Sequence, residues 1–189
     1  GGRPCLDFVN TVHDGFSAEN EDYITTRTRY LDWACRASLL TRSELHRVER
    51  HSLATGLLAK VRGFRDALHT VFSARIDGTC PPDDVGRLLD QWVHRAWRSL
   101  RVDVTAPSCL GWRTEAVDDR LPLMRIALSA LDLLEYDAPT RLKRCAAAGR
   151  CGWLFYDDSR SNTRRWCSMD TCGVAAKMRR YRAAEPWSK

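Results

Sequence analysis

The chain has 189 residues, 44% of them hydrophobic, with seven tryptophans and a formal net charge of +6. This composition supports a packed core and excludes intrinsic disorder, and no run approaches the ~20 apolar residues of a membrane helix. The length suits one medium domain, or a domain of roughly 140 residues with a small module beside it.

No secretory pattern opens the chain and Gly1-Gly2 reads as a cloning remnant, so a soluble, cytoplasmic protein is expected. PCLDFVNTVHDG reads as a short buried segment turning at Asp14-Gly15. A helix follows over 26–38, with Leu31, Ala34 and Ala37 inward. Thr41 and Glu44 are spaced as a capping box, in which the hydroxyl and the carboxylate each satisfy a free backbone N–H. They open a short helix carrying Leu45 and Val48.

The strongest periodicity lies over 55–76, where Leu57, Leu58, Val61, Phe64, Leu68, Val71 and Phe72 recur every three or four residues. Asp77-Gly78 ends that helix. The next runs over 83–100, with Val85, Leu88, Leu89, Trp92, Ala96 and Trp97 on one stripe. Residues 101–115 change to period two and predict a β-hairpin. A helix over 120–136 carries Pro122 in its first turn and Ile126, Ala127, Ala130, Leu131 and Leu134 inward. Asp137-Ala138-Pro139-Thr140 divides a helical body, 1–138, from a C-terminal module, 139–189.

That module differs in chemistry from the body. Residues 141–189 hold 12 Lys/Arg against 4 Asp/Glu, whereas the first 140 hold 18 against 20. Such asymmetry suggests a polyanionic partner. Four of the eight cysteines are scattered singly; the others are spaced Cys145-x5-Cys151-x15-Cys167-x4-Cys172. Two close thiol pairs around a 15-residue excursion suit a closed, tetrahedral zinc site, with four buried free thiols as the competing reading. Glycines 149, 152 and 173 allow tight turns beside the cysteines. Trp153 to Tyr156 reads as a strand and 157–163 as a polar turn.

A final helix over 171–184 places Val174, Met178 and Tyr181 at i, i+4 and i+7, to pack on the knuckles. Lys177, Arg179, Arg180 and Arg182 fill the remaining arc, with Arg160, Arg164 and Arg165 just upstream. Arginine forks suit phosphate, so this face is either a nucleic-acid contact or a solvated helix covering the metal site. In the body, Asp7, Asn10, His13 and Arg27 are polar candidates for a ligand pocket, with pinning of nearby backbone as the competing role for Asp7 and Asn10. None of the five histidines has a metal spacing such as H-E-x-x-H, and neither a phosphate loop nor a nucleophile elbow is present, so no enzyme is expected.

The run RCAAAGRCGWLFYDDSRSNTRRWCSMDTCG, followed by AAKMRRYR, resembles the CGNR-type zinc finger of bacterial ABATE-domain proteins, a family of stress-induced transcription regulators. The opening CLDFVNT resembles the start of the ABATE domain, so the resemblance spans nearly the whole chain. It implies a mainly α fold with one β-hairpin: a helical ABATE-like body plus a four-cysteine module of knuckle, short strands and terminal helix. It implies one structural zinc per chain on Cys145, Cys151, Cys167 and Cys172, and DNA as the partner. A small-molecule effector and homodimerisation are expectations for the body. The alternative is a small-molecule- or partner-binding protein whose finger is purely structural. One departure stands out: the family's Cys-Gly-Asn-Arg is Cys172-Gly173-Val174-Ala175 here.

Overall fold

The computed structural model describes residues 1–12, 22–50, 55–105, 110–113, 115, 117–147 and 151–184. The opening apolar segment is a helix, α1 (Pro4–Val9), with Pro4 in the first turn where its missing N–H costs nothing. Its Cys5, Leu6, Phe8 and Val9 are buried; the expected turn at Asp14-Gly15 lies outside the described residues. The Gly1 carbonyl accepts the Tyr156 N–H at 2.9 Å.

Thr26 caps α2 (Arg27–Arg36) by accepting the Arg29 N–H; Leu31 and Ala34 are buried and Ala37, just past the end, is half-buried. The capping box forms at the start of α3 (Arg42–Glu49), and Glu44 also receives a two-pronged ion pair from Arg125 at 2.7 and 2.8 Å. The long α4 (Leu57–Asp77) buries the periodic stripe, with Leu58 half-buried, and ends at Gly78, whose φ of 66° only glycine adopts without strain. α5 (Asp83–Ser99) buries Trp92 and Ala96, but Trp97 is 56% exposed rather than inward. It sits one residue past the buried i, i+4 pair, rotated by about 100° off the seam.

β1 (Leu100–Val102) and β2 (Leu110–Trp112) pair antiparallel as the expected hairpin. α6 (Leu121–Tyr136) packs against α1, α4 and α5 and buries Ile126, Ala127 and Ala130, leaving Leu131 and Leu134 half-buried. A turn of 3-10 helix (Pro139–Arg141) leads into β3 (Leu142–Arg144), which pairs antiparallel with β4 (Leu154–Tyr156).

This second hairpin rests on the body through α1 and α4. Side chains of β4 alternate across its two faces. Leu154 and Tyr156 join the body core of Phe8, Phe64 and Leu68, while Phe155 joins a second cluster made by the cysteines. Arg3 braces the seam by holding both Asp137 oxygens at 2.9 Å and lying 4.7 Å over the Tyr156 ring. The terminal segment is a wide turn (Met169–Gly173) followed by α7 (Val174–Ala184).

Candidate metal centre

The four clustered cysteines converge. One sulfur from each of Cys145, Cys151, Cys167 and Cys172 lies within 4.8 Å of every other. Cys151 and Cys167, and Cys167 and Cys172, are 3.7 Å apart at sulfur. A tetrahedron of thiolates at the usual zinc–sulfur distance of about 2.3 Å has edges of about 3.8 Å. The spacing therefore fits a single zinc ion, and the all-sulfur donor set leaves no position for a reacting water, so the site is structural.

The backbone builds that geometry from two directions. Cys145 follows β3 and donates its N–H to the Trp153 carbonyl at 2.9 Å, extending the β3–β4 pairing to the first ligand. Cys151 donates to Ala147, and Ala146 to Arg165, so the two knuckles are tied together. The Cys167 N–H points at the Cys145 sulfur at 3.4 Å. Gly173 is not in a left-handed turn, and an added Cβ there would press on the Met169 side chain, 3.1 Å from its sulfur, which would have to shift slightly. Phe155 closes the cluster from the strand side with no exposure.

Burial opposes ionisation of Cys145, Cys151 and Cys167, but the outcome differs among them. Burial and neighbouring thiolates push Cys151 up to about 12, and burial together with Cys151 and Cys145 raises Cys167. For Cys145, burial is outweighed by hydrogen bonds from the Cys167 and Ala147 N–H groups, and its pKa is lowered. The pocket thus favours the thiolate at Cys145, and a divalent cation is what offsets the raised pKa of Cys151 and Cys167.

The loop before the third ligand is organised by Asp157, which the sequence reading placed in a polar turn without a role. This carboxylate is fully buried. It accepts from Lys143 Nζ at 2.6 Å, from the Ser159 N–H and hydroxyl at 3.0 and 2.5 Å, and from the Arg164 N–H at 2.9 Å. Burial disfavours its charge, but the Lys143 ammonium and the three other donors prevail and hold its pKa far below the usual carboxylate range. Asn162 adopts a φ of 51° in the same loop and its carbonyl accepts from Lys143 at 2.7 Å. A buried Asp bordered by Ser two residues on and a Lys on the adjoining strand is the signal that marks it in hindsight.

The basic residues divide into two groups. Arg164 turns inward: its Nε donates to the Trp166 carbonyl at 2.9 Å, its fork reaches the Cys167 carbonyl, and it lies 4.9 Å over the Phe155 ring. Arg165 is exposed, 5.6 Å over Trp166. Arg160, Lys177, Arg180 and Arg182 are also exposed, and Arg179 is half-buried. Val174, Met178 and Tyr181 do not pack on the knuckles; they are 51%, 46% and 61% exposed. Gly173 is buried and Ala175–Ala176 are half-buried, so the small residues take the inward side instead.

The three described polar candidates of the body each have separate partners. Asp7 is exposed and pairs with the Gly1 amino group. Arg27 pairs with Asp119 at 2.8 Å and with the Val48 carbonyl at 2.8 Å. His13 lies outside the described residues. Asn10 is buried and clasps the main chain of Leu154, donating to its carbonyl at 2.8 Å and accepting its N–H at 2.9 Å.

Comparison with known families agrees with this layout. The CGNR zinc finger model matches residues 141–185. The ABATE model, whose description reads "Putative stress-induced transcription regulator", matches residues 2–137. No curated protein matches the chain. Among the described residues no helix is long and apolar enough to cross a membrane.

Proposed function

We propose, from the fact that this chain belongs to the ABATE family and carries a CGNR zinc finger, that it is a zinc-containing DNA-binding transcriptional regulator. The helical body acts as the sensing or dimerising part and the finger as the DNA contact. One observation carries this reading. Arg160, Arg165, Lys177, Arg180 and Arg182 are all exposed on one small module, and none of the five pairs with a carboxylate among the described residues. An uncompensated cationic surface braced by a metal is suited to phosphate contacts, which position a protein on a duplex.

Arg164 has a different part in this scheme. Its donors serve the knuckle, so it shapes the finger and leaves phosphate contact to its neighbour Arg165. Selection of genomic fragments by the purified zinc-loaded protein tests the reading. Enrichment of a common sequence is the expected result, and recovery indistinguishable from a protein-free control would reject it.

A second reading has its own support. Met169, Val174, Met178 and Tyr181 leave an exposed apolar stripe beside the basic arc, which suits a finger that docks a protein partner. Under that reading Val174→Ser/Met178→Ser/Tyr181→Ser abolishes partner capture and leaves DNA retention unaffected.

A further inference from the structure

The body holds a cleft of about 1090 Å³ between the first half of α4 and the second half of α5, open toward the start of α6. We infer that this cleft is a binding site for a small molecule bearing a polyphosphate group.

Charge is the first argument. Lys60, Arg95, Arg98 and Arg120 line the cleft, and past Ser99 it continues into a shallower arm bounded by Arg113, Glu115 and Asp118. Arg120 is neutralised by Asp118, and Asp90 faces His94 at 3.3 Å. Arg95 stacks 5.6 Å over Trp92, and Arg95, Arg98 and Arg113 pair with no carboxylate among the described residues. Arg98 in the last turn of α5 complements the helix dipole, but that does not account for Arg113, which arrives from the far end of the hairpin after β2. Guanidinium groups from separate elements thus meet in one concavity. Glu115 stands among them, and a ligand with several negative charges outcompetes it where a monoanion does not.

Gly63 is the second argument. It sits inside α4, where glycine is a poor helix former. A Cβ added there would meet nothing within 4 Å, so no neighbour in the fold requires its absence. Gly63 lies on the cleft wall, and a bare backbone at that point lets a ligand approach the helix closely.

Position is the third. Lys60 and Asp77 are separated by 17 residues of α4, about 25 Å at 1.5 Å per residue. The finger's Arg144 pairs with Asp77 at 3.2 Å, at the far end of that helix. The cleft is therefore apart from the basic face of the finger, and the proposal stands whether or not the finger binds DNA. Its volume suits a compact molecule.

Titration calorimetry of the zinc-loaded full chain with sodium tripolyphosphate and with ATP tests this. Saturable one-site binding is expected, at least about ten-fold weaker in Arg98→Glu/Arg113→Glu. Gly63→Leu changes no charge and places a better helix former in α4, so it should melt no lower than the wild type yet bind at least about ten-fold more weakly. Absence of saturable binding at about millimolar probe would overturn the proposal. So would binding that survives both cleft variants but is lost in Arg165→Glu/Arg180→Glu, because the finger would then be the site. Loss of duplex DNA binding in Arg98→Glu/Arg113→Glu, with tripolyphosphate binding intact, would mark the cleft as a nucleic-acid surface and overturn it as well.

Discussion

Asn10 and Leu154, 144 residues apart, are joined by two buried hydrogen bonds that run in opposite directions. The side-chain amide of Asn10, the residue just past α1, pairs with β4 as the main chain of a neighbouring strand would, so the finger is seated on the body by a main-chain contact as well as by apolar packing. Replacing Asn10 with Ala leaves a buried N–H and a buried carbonyl of Leu154 without partners. A loss of about 2–4 kcal/mol is expected in denaturant unfolding, with zinc content unchanged because the ligands are held by separate bonds.

Asp157 gives a pH-dependent prediction. Its carboxyl is held far below the usual range in the native state, so its stabilising effect is complete above the unfolded carboxyl value of about 3.9 and is lost as pH falls toward the lower native value. Asp157→Asn should cost about 2–4 kcal/mol at neutral pH, since it breaks a buried pair with Lys143. Unfolding followed across the acid range should show wild type and variant converging below about pH 4. A constant difference down to acid pH would rule out this ionic role.

Zinc uptake should release protons. Cys151 lies at about 12 and Cys167 is raised in the metal-free cluster, so both thiols are protonated at neutral pH and lose their protons as the metal binds. Calorimetry in buffers of different ionisation heat should report release of about two protons or more, with affinity falling as pH falls. Metal analysis should find one zinc per chain, and chelation should unfold the finger while the helical body retains its circular dichroism.

Arg164 and Arg165 are adjacent and separable. Arg164→Ala removes donors to the Trp166 and Cys167 carbonyls, so zinc loss to a chelator should quicken by about ten-fold, the effect of losing an outer support of a metal site. Lys in its place lacks the planar fork and should rescue only part of this. Arg165→Ala should leave zinc release unchanged and lower the salt dependence of DNA binding by about one phosphate contact.

The finger was largely legible in the sequence because its chemistry is local. Thiol spacing brings Cys145, Cys151, Cys167 and Cys172 together through short knuckles, and the WLFY strand forms where read. The helices of the body followed their periodicity. What could not be read was the identity of each neighbour. A helical stripe says which side chains share a face but not whether anything covers it, so periodicity points Trp97, Val174, Met178 and Tyr181 inward while the fold leaves them exposed. β3 has only three residues, Leu142–Arg144, and its charged Lys143 and Arg144 hide a strand whose half-buried lysine pairs with the buried Asp157. Asn10 borders a cavity with Arg65, His69 and Trp153, but its clasp on Leu154 could not be read because that strand lies far along the chain.

The departure from the family's Asn-Arg pair is also testable. Val174 and Ala175 start α7 just after the last ligand, and under the proposed DNA contact a side-chain amide and a guanidinium there add hydrogen-bond donors and one positive charge. Val174→Asn/Ala175→Arg should bind DNA more tightly and steepen the salt dependence by about one contact, read by fluorescence anisotropy.

The central claim is that the zinc-braced basic face contacts DNA, and salt titration of duplex binding by the zinc-loaded protein tests it most directly. Five exposed cations predict that log K falls against log salt with a slope of about −4, flattening to about −2 to −3 in Arg165→Glu/Arg180→Glu. Undetectable binding at low salt, or affinity indifferent to salt, would contradict the account.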